Sequence, residues 1–345
     1  MNGGITIQKD DVKKLFKSSL LQPQRQKIDD DRAQKKKVII LAGPTGTGKS
    51  QLAMMLAEAM GGEIISADSM QVYKDMDIGT AKVSEDDRLR IPHHLLDIRK
   101  VDDPYNVVDF YYEARHCCQT LHDRDVTPIV VGGSGFYIHS LIFGPPSGPP
   151  SVPSLRKAIE DEFEQKGAEA LFEKLHTMDP DYAKTITVHD KQKIVRAIEI
   201  ITLTGERVSQ LSWKERMQPL HYDFRCWFLH RPRSVLYERI EKRCEAMLNQ
   251  GLLEEVIQLE KSGIRENPSA SQAIGYRQSL DFLDSDRSDE AYEKFVADFK
   301  KVSRHYAKRQ FTWFKKEPYF TWLDLDLHDP ETAVDIILSD FERTL

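Results

Sequence analysis

Long hydrophobic runs are missing from this sequence of 345 residues. No apolar stretch approaches the roughly 18 residues that a transmembrane helix needs, so no membrane segment is predicted. The N-terminal stretch also has no continuous hydrophobic core and no small-residue cleavage site, and we expect no signal peptide. Both absences favour a cytoplasmic protein.

Cysteine is scarce, and its spacing indicates neither a disulfide framework nor a zinc site. The four cysteines are Cys117, Cys118, Cys226 and Cys244. They form no Cys-x-x-Cys pair and have no zinc-like spacing with histidine. We therefore expect buried free thiols in a reducing compartment, which again favours the cytoplasm.

An overall excess of basic residues is missing too, because the formal net charge is −6. This balance argues against a general nucleic-acid binder. Residues 300–316 are a local exception, with seven Lys or Arg, no acid and four interleaved aromatic side chains. Four cations of this segment fall near one helical face and suit RNA phosphates, although a solvated helix face is the simpler alternative. We call them the basic face: Lys301, Arg304, Lys308 and Lys315.

A phosphate-binding loop is the most specific local pattern. The apolar run Val38–Ala42 reads as a strand buried on both faces, and residues 48–60 read as the following helix. Between them the sequence G-x-x-x-x-G-K-[ST] is complete. In such loops the main-chain N–H groups hold the phosphates, the lysine neutralises the distal oxygens and the last hydroxyl reaches Mg²⁺. The loop residues are Gly43, Pro44, Thr45, Gly46, Thr47, Gly48, Lys49 and Ser50, with Ser50 as the predicted metal ligand.

The alternation of strands and helices predicts an α/β fold. We expect a P-loop NTPase-like parallel sheet flanked by helices, with an inserted helical domain that follows a Pro/Gly-rich linker. After a further strand at 225–229, helices are expected to the end. The predicted organisation is an N-terminal polar extension at 1–36, the first part of the P-loop core at 37–144, the helical insertion at 145–220, and the completed core with C-terminal helices at 221–345.

The identity of the phosphate is not decided by the loop itself. Enzymes that hydrolyse ATP or GTP normally have an acid at the end of a second strand, but the strand at 127–131 runs into Gly-Gly-Ser-Gly. The acid instead follows the strand at 63–67, as Asp68, at the edge of the sheet where α/β proteins bind ligands. This favours a transferase from which a phosphate departs, or a kinase whose acceptor lies near Asp68. A helix N-cap is the structural alternative for an isolated aspartate.

Several motifs together resemble a known family. They are GPTGTGKS, ISADSMQVYKDMDIGTAK, PHHLLDI, VVGGSGFYI, QKIVRAIEI, GYRQ and AKRQFTWF, in order between about residues 37 and 325. This combination closely resembles the bacterial tRNA dimethylallyltransferases. The resemblance implies transfer of a dimethylallyl group from dimethylallyl diphosphate to N6 of the adenosine 3′-adjacent to the anticodon of tRNA, with Mg²⁺ as cofactor. A P-loop small-molecule kinase and a non-catalytic RNA-binding NTPase switch are the alternatives from other classes. No protein partner is predicted.

The resemblance also implies roles for individual residues. Asp68 matches the general base, Thr45 a threonine near the bridging oxygen of the donor, and Lys49 the stabiliser of the leaving diphosphate. The tRNA anticodon stem-loop is expected to contact Asp68, Ser69, Met70, Gln71, Ser134, Arg156, Gln192, Lys193, Ile194, Val195, Arg196, Gln272, Ala273, Ile274, Gly275, Tyr276 and Arg277. Two departures are visible, because Ser134 stands where threonine is usual and D-K-Q-K replaces D-P-Q-R at 190–193. Arg239 and Arg243, four residues apart on a predicted helix, are further candidates for diphosphate contacts, with a solvated helix face as the equal alternative.

Overall fold

The computed structural model describes residues 36–146, 148–211 and 222–342. The predicted polar extension lies outside them, apart from Lys36 at the start of the first strand. The described residues form two compact units. The sheet unit comprises residues 36–145 and 222–342, and the helical unit comprises residues 146 and 148–211.

The sheet unit is built on six parallel strands in the order β3-β2-β4-β1-β5-β6. The strands are β1 Lys36–Ala42, β2 Glu63–Ala67, β3 His93–His94, β4 Pro128–Gly132, β5 Tyr222–His230 and β6 Phe320–Asp324. The five apolar residues Val38–Ala42 are fully buried, as expected for a strand that carries helices on both faces. The parallel sheet flanked by helices confirms the predicted fold class.

The helices of the sheet unit flank both faces of the sheet. They are α1 Lys49–Met60, α2 Glu85–Arg90, α3 Val107–His122, α4 Gly135–Phe143, α9 Arg233–Asn249, α10 Leu252–Lys261, α11 Tyr276–Leu283, α12 Asp289–Phe314 and α13 Pro330–Glu342. Local sequence explains where α3 begins, because Asn106 and Asp109 form a reciprocal capping box. α1 ends at Gly61, whose φ of 64° is the left-handed conformation that favours glycine.

Strand register brings the functional segments to one edge of the sheet. Ala42, the last residue of β1, lies opposite Gly132 at the end of β4. Gly132 in turn lies opposite Ala67 at the end of β2. The three segments that follow these strands therefore start side by side at the carboxyl edge. They are the phosphate-binding loop, the Asp68 turn and the Gly133–Ser134 turn.

The expectation of helices to the end of the chain is wrong at β6. This strand pairs with β5, and Cys226 lies opposite Phe320. β6 is short and only Phe320 and Leu323 are buried, so its own sequence carries a weak apolar pattern. Its strand conformation is decided by pairing with a distant segment rather than by local propensity.

The helical unit packs around its own small core. Its helices are α5 Pro153–Lys166, α6 Ala168–Met178, α7 Pro180–Ala183 and α8 Lys191–Thr204, followed by a 3₁₀ turn at Val208–Gln210. The buried apolar residues include Ile159, Leu175, Ile194 and Ile198. Across the described part of both units, no helix is long and apolar enough to cross a membrane.

Candidate active site

The phosphate-binding loop is held by arginines that donate to its main-chain carbonyls. Arg231 Nε donates to the carbonyl of Thr47 at 2.9 Å. Arg239 Nε donates to the carbonyl of Gly46 at 2.7 Å. Gly48, which precedes α1, has a φ of 103°, a conformation that side chains other than glycine rarely adopt. Arg239 therefore supports the loop rather than offering its Nε to a ligand.

Gln310 of α12 joins the loop to the end of β4. Its side-chain oxygen accepts the N–H of Thr45 at 3.2 Å, and its Nε2 donates to the carbonyl of Gly133 at 2.9 Å. A Cβ at Gly133 would lie 2.2 Å from Gln310 Nε2, so only glycine permits this approach. Sequence reasoning missed Gln310. The only signal for it was its place within the AKRQFTWF motif.

A cavity of about 350 Å³ opens at this edge of the sheet. That size lies within the usual range for small-ligand sites. Many of the predicted site residues line it: Thr45, Lys49, Ser50, Asp68, Ser69, Met70, Gln71, Gln272, Ala273, Ile274 and Tyr276. Ser269, Tyr306, Arg309 and Gln310 line it as well, although sequence reasoning did not select them for the site.

Positive charge is concentrated on the loop side of the cavity. Lys49 Nζ donates to the carbonyl of Pro44 at 2.7 Å. Burial and the neighbouring Arg243 lower the pKa of Lys49 to about 7, against the opposing effect of Asp68. Burial likewise lowers the pKa of Arg243, and Asp68 opposes this shift. An anionic ligand would relieve the repulsion between these two cations, so this part of the cavity suits a diphosphate.

Asp68 lies in a turn, not at a helix N-terminus. Its Oδ1 accepts the N–H of Met70 at 2.9 Å, which closes an Asx turn after β2. The carboxylate is close enough to Lys49 and Arg243 to influence the pKa of both. A carboxylate in this cavity can accept a proton from a bound nucleophile while it faces the cations that hold the leaving group.

The side of the cavity around Asp68 is polar and well fixed. Ser134 Oγ accepts the N–H of Ser69 at 3.2 Å, and Tyr306 forms a side-chain hydrogen bond with Ser134. Burial and the Asp68 charge raise the pKa of Tyr306, so its hydroxyl stays protonated. Gln71 Nε2 donates to the carbonyl of Thr80 at 3.2 Å. These residues can bind the edges of a planar polar group such as a nucleobase.

The segment predicted at 272–277 divides between the cavity and the surface. Tyr276 lines the cavity wall but is 0% exposed, and its hydroxyl donates to Glu255 at 2.6 Å. Gly275 precedes α11 with a φ of 91°. Arg277 is exposed and lies 3.8 Å from Asp281. Only Gln272, Ala273, Ile274 and Tyr276 of this segment line the cavity.

The remaining predicted contacts, Arg156 and residues 192–196, lie in the helical unit. Arg156 donates to Gln192 and, at 3.0 Å, to Glu160. Arg196 Nη1 donates to the buried Glu199 at 2.6 Å. The side chains of Ile194 and Val195 are fully buried in the core of the helical unit. The exposed polar groups of this segment are therefore Gln192 and Lys193.

The side chains at the cavity supply only part of the ligands that a magnesium ion needs. Among the described residues, no group of three His, Cys, Asp or Glu could hold a metal. Ser50 is exposed at the cavity beside Lys49, and its hydroxyl is the kind of hard oxygen that Mg²⁺ accepts. Mg²⁺ usually completes its shell with phosphate oxygens and water. The residues present therefore fit an ion that arrives with a diphosphate.

Fold and site together define a class. A parallel sheet with a phosphate-binding loop at its carboxyl edge, next to a carboxylate in a polar cavity, defines a P-loop protein built to act on a phosphorylated ligand. A family model described as IPP transferase matches residues 71–317. The chain belongs to the IPP transferase family, as the motifs predicted.

Relatives of known sequence support this membership. A tRNA dimethylallyltransferase of Protochlamydia amoebophila (strain UWE25) is 57% identical over 342 residues, which cover 99% of each chain. A tRNA dimethylallyltransferase of Chlamydia felis (strain Fe/C-56) is 48% identical over 308 residues, 89% of this chain and 90% of the relative.

Solved structures show the same fold. The full-length tRNA isopentenylpyrophosphate transferase of Bacillus halodurans is 35% identical, with a TM-score of 0.65, over 89% of this chain and 96% of the other. A eukaryotic dimethylallyltransferase described as acting on tRNA is 30% identical, with a TM-score of 0.74, over 89% of this chain and 79% of the other.

Proposed function

We propose that this chain transfers a dimethylallyl group from dimethylallyl diphosphate to N6 of the adenosine 3′-adjacent to the anticodon in tRNA, and releases diphosphate. The observation that carries the proposal is the cavity. Asp68 lines it together with Lys49 of the phosphate-binding loop and with Arg243, and Ser69, which lines it as well, is hydrogen-bonded to Ser134 on a polar side that suits a nucleobase. The names of the relatives supply the tRNA and the dimethylallyl group.

On the donor side, the phosphate-binding loop and Arg243 hold the diphosphate. Lys49, whose pKa is lowered to about 7 in the free protein, regains its charge when the anion is bound. Thr45 lines the same wall, where its hydroxyl can reach the bridging oxygen of the donor. Ser50 would hold a magnesium ion, which supplies further positive charge to the leaving oxygens when bound.

On the acceptor side, the adenosine leaves the base stack of the anticodon loop and enters the cavity. Enzymes that modify a base in this way extrude it, because the reacting atom is not accessible within the stack. The N6 amine attacks the first carbon of the dimethylallyl group, and the bond from that carbon to the diphosphate oxygen breaks. Asp68 accepts the proton that N6 loses. Ser69, Gln71 and Ser134 orient the base, while Arg156 and Gln192 of the helical unit bind the stem-loop.

The tRNA also needs a surface beyond the cavity. Trp313 and Phe136 are 39% and 40% exposed, and their rings meet edge to face. Trp313 packs on Gly135 and lies one helical turn beyond Arg309, which lines the cavity. Exposed aromatic faces beside cations bind unstacked bases. We assign this surface, with the basic face, to the anticodon loop.

The two alternative functions that the phosphate-binding loop allows are not favoured. A small-molecule kinase and an NTPase switch both need an acid that organises a magnesium-bound nucleotide, whereas β4 ends at Gly132 and is followed by Gly133. The family match and the named relatives point to a transferase. We place the reaction in the cytoplasm, which agrees with four free cysteines.

The test is direct. The protein is incubated with unmodified tRNA and dimethylallyl diphosphate, the tRNA is digested and the nucleosides are weighed. We expect an adenosine heavier by one dimethylallyl group, and no such product with ATP as the only donor. Phosphate transfer or hydrolysis of ATP at useful rates, without a prenylated nucleoside, would replace the proposal by the kinase or NTPase alternative.

A further inference from the structure

A carboxylate outside the motif residues holds a loop of the active-site wall. Glu255 lies on α10 and accepts three successive main-chain N–H groups, from Asp77 at 3.0 Å, Ile78 at 2.7 Å and Gly79 at 3.2 Å. It also accepts the hydroxyl of Tyr276 at 2.6 Å. Four donors on one carboxylate form a charge-assisted set, which is stronger than neutral hydrogen bonds.

The local packing leaves this arrangement little freedom. A Cβ at Gly79 would lie 2.5 Å from the ring of Tyr276, so the loop lies flat against that ring. Tyr276 is fully buried, and burial together with the Glu255 charge raises the pKa of its hydroxyl, which therefore remains a donor. The loop conformation and the tyrosine position both depend on Glu255.

The next residue of the loop connects both sides of the cavity. The carbonyl of Thr80 accepts Gln71 Nε2 at 3.2 Å and lies 3.5 Å from Arg243 Nη2. Gln71 belongs to the proposed acceptor side and Arg243 to the proposed donor side. A single carbonyl thus contacts two side chains that serve different substrates, and Gln71 is held at its other end by the hydroxyl of Ser66 at 2.9 Å.

We infer that Glu255 is a positioning residue, which fixes the loop at 77–80 and through the Thr80 carbonyl aligns Gln71 with the acceptor base and Arg243 with the diphosphate. The assignment of the two substrates rests on the proposed function. Glu255 itself contacts neither substrate. In Glu255→Gln one of the two acceptor oxygens is replaced by an NH₂ group, which is itself a donor. The side chain can then no longer accept hydrogen bonds from all three main-chain N–H groups.

The test compares Glu255→Gln with Glu254→Gln. Glu254 is the exposed neighbour on the same helix, so the control makes the same charge change without touching the loop. We expect Glu255→Gln to weaken binding of inorganic pyrophosphate about tenfold, to raise KM for tRNA, and to lower kcat/KM by about 10- to 100-fold. Glu254→Gln should match the wild type. Tyr276→Phe, which removes one of the four donors, should fall between them.

A double-mutant cycle distinguishes a positioning role of Glu255 from a role in stability alone. It is measured at a temperature well below the melting transition of each variant. If Glu255 acts through Arg243, Glu255→Gln weakens pyrophosphate binding in the wild type but not further in an Arg243→Lys background. A lowered melting temperature with unchanged pyrophosphate affinity and KM would overturn the inference, as would additive losses in the cycle. The pyrophosphate measurements need no transferase activity, so failure of the proposed function is told apart from failure of this inference.

Discussion

Ion-paired cations of the helical unit differ in their partners from the two cations, Lys49 and Arg243, at the cavity of the sheet unit. In the helical unit, cations are paired with acids of the same unit, for example Arg156 with Glu160 at 3.0 Å and Lys193 with Asp190 at 3.1 Å. In the sheet unit, the cations at the cavity hydrogen-bond to main-chain carbonyls, Lys49 to Pro44 and Arg243 to Thr80. Within the described residues, neither of these two forms an ion pair with a carboxylate.

This difference separates a chemical site from a binding surface. A main-chain carbonyl satisfies a hydrogen bond but does not neutralise a charge, so Lys49 and Arg243 keep their attraction for an anion at the cost of lowered pKa values. Exposed ion pairs contribute little to stability, and their cations can exchange a carboxylate for an RNA phosphate at small cost. We therefore expect changes at the cavity to affect chemistry, and changes in the helical unit to affect affinity or stability.

The largest effect is expected at Asp68. Asp68→Asn keeps the size of the side chain and the oxygen that accepts the Met70 N–H, so the turn should survive. Loss of a general base should lower kcat by roughly 10²- to 10⁴-fold, with donor and tRNA affinities changed much less. Single-turnover kinetics with tRNA, beside a melting curve for each protein, provide the measurement. Near wild-type turnover would reduce Asp68 to a residue that closes a turn.

The charge of Lys49 should give diphosphate binding a pH dependence. The pKa of Lys49 is about 7 in the free protein, so the ammonium form dominates below that pH and is lost above it. A bound anion favours the ammonium form, and binding above pH 7 must therefore take up a proton. Affinity for pyrophosphate should fall as pH rises above 7, by up to about tenfold per unit. Calorimetry in buffers of different ionisation enthalpy measures the uptake.

Lys49→Met is the matched control for that experiment. Methionine is unbranched like lysine but carries no charge, so pyrophosphate binding should be weak and the proton uptake should disappear. Proton uptake that persists in Lys49→Met would assign the pH dependence to another group.

The basic face, which lies on α12 and its C-cap residue Lys315, sharpens the comparison, because one of its four members is already paired. Arg304 Nη1 meets Glu241 of α9, while Lys301, Lys308 and Lys315 are exposed. Changing the three lysines to Gln should weaken tRNA binding and reduce the slope of log affinity against log salt by up to roughly one unit per lost contact. Arg304→Gln should change the slope less. Turnover of saturating tRNA should stay the same.

Filter binding at several salt concentrations measures the tRNA affinity of the wild type and of the triple lysine variant. Parallel slopes for the wild type and the triple variant would show that the basic face is a solvated helix surface and that RNA binds elsewhere.

The smallest effects are expected in the helical unit, where they should separate two arginines. Glu199 is 0% exposed and accepts Arg196 at 2.6 Å together with the N–H of Val152 at 2.8 Å. Arg196→Gln leaves a buried carboxylate with fewer partners and should cost about 1–3 kcal/mol of stability. Arg156→Gln removes partly exposed contacts and a longer 3.9 Å approach to the same Glu199, so it should cost less stability than Arg196→Gln and weaken tRNA binding a few-fold. Denaturant unfolding measures the stability of both variants, and tRNA titration measures their affinity. If Arg156→Gln lost more stability and Arg196→Gln lost more tRNA affinity, the two roles would be exchanged.

The sequence by itself determined the elements whose signals are local. The loop at 43–50 lies between a buried strand and a helix, as the pattern predicted. The capping box at Asn106 and the glycine at Gly61 are likewise features of the local sequence. Such features depend on neighbours within a few residues, so one sequence carries them. The sequence also predicted many of the site residues that line the cavity, because the resemblance to the family assigned them to the site.

Only the tertiary structure decided what depends on distant partners. β6 is a strand because β5 offers an edge to pair with, and Gln310 joins two turns because α12 crosses them. Glu255 belongs to none of the motifs, yet it accepts four hydrogen bonds from segments that lie far from it in sequence. Hydrogen bonds and burial across such separations have no periodic trace along the chain. The residues proposed to perform the chemistry were thus predicted from the sequence, whereas the residues that hold them in place became visible only in the folded protein.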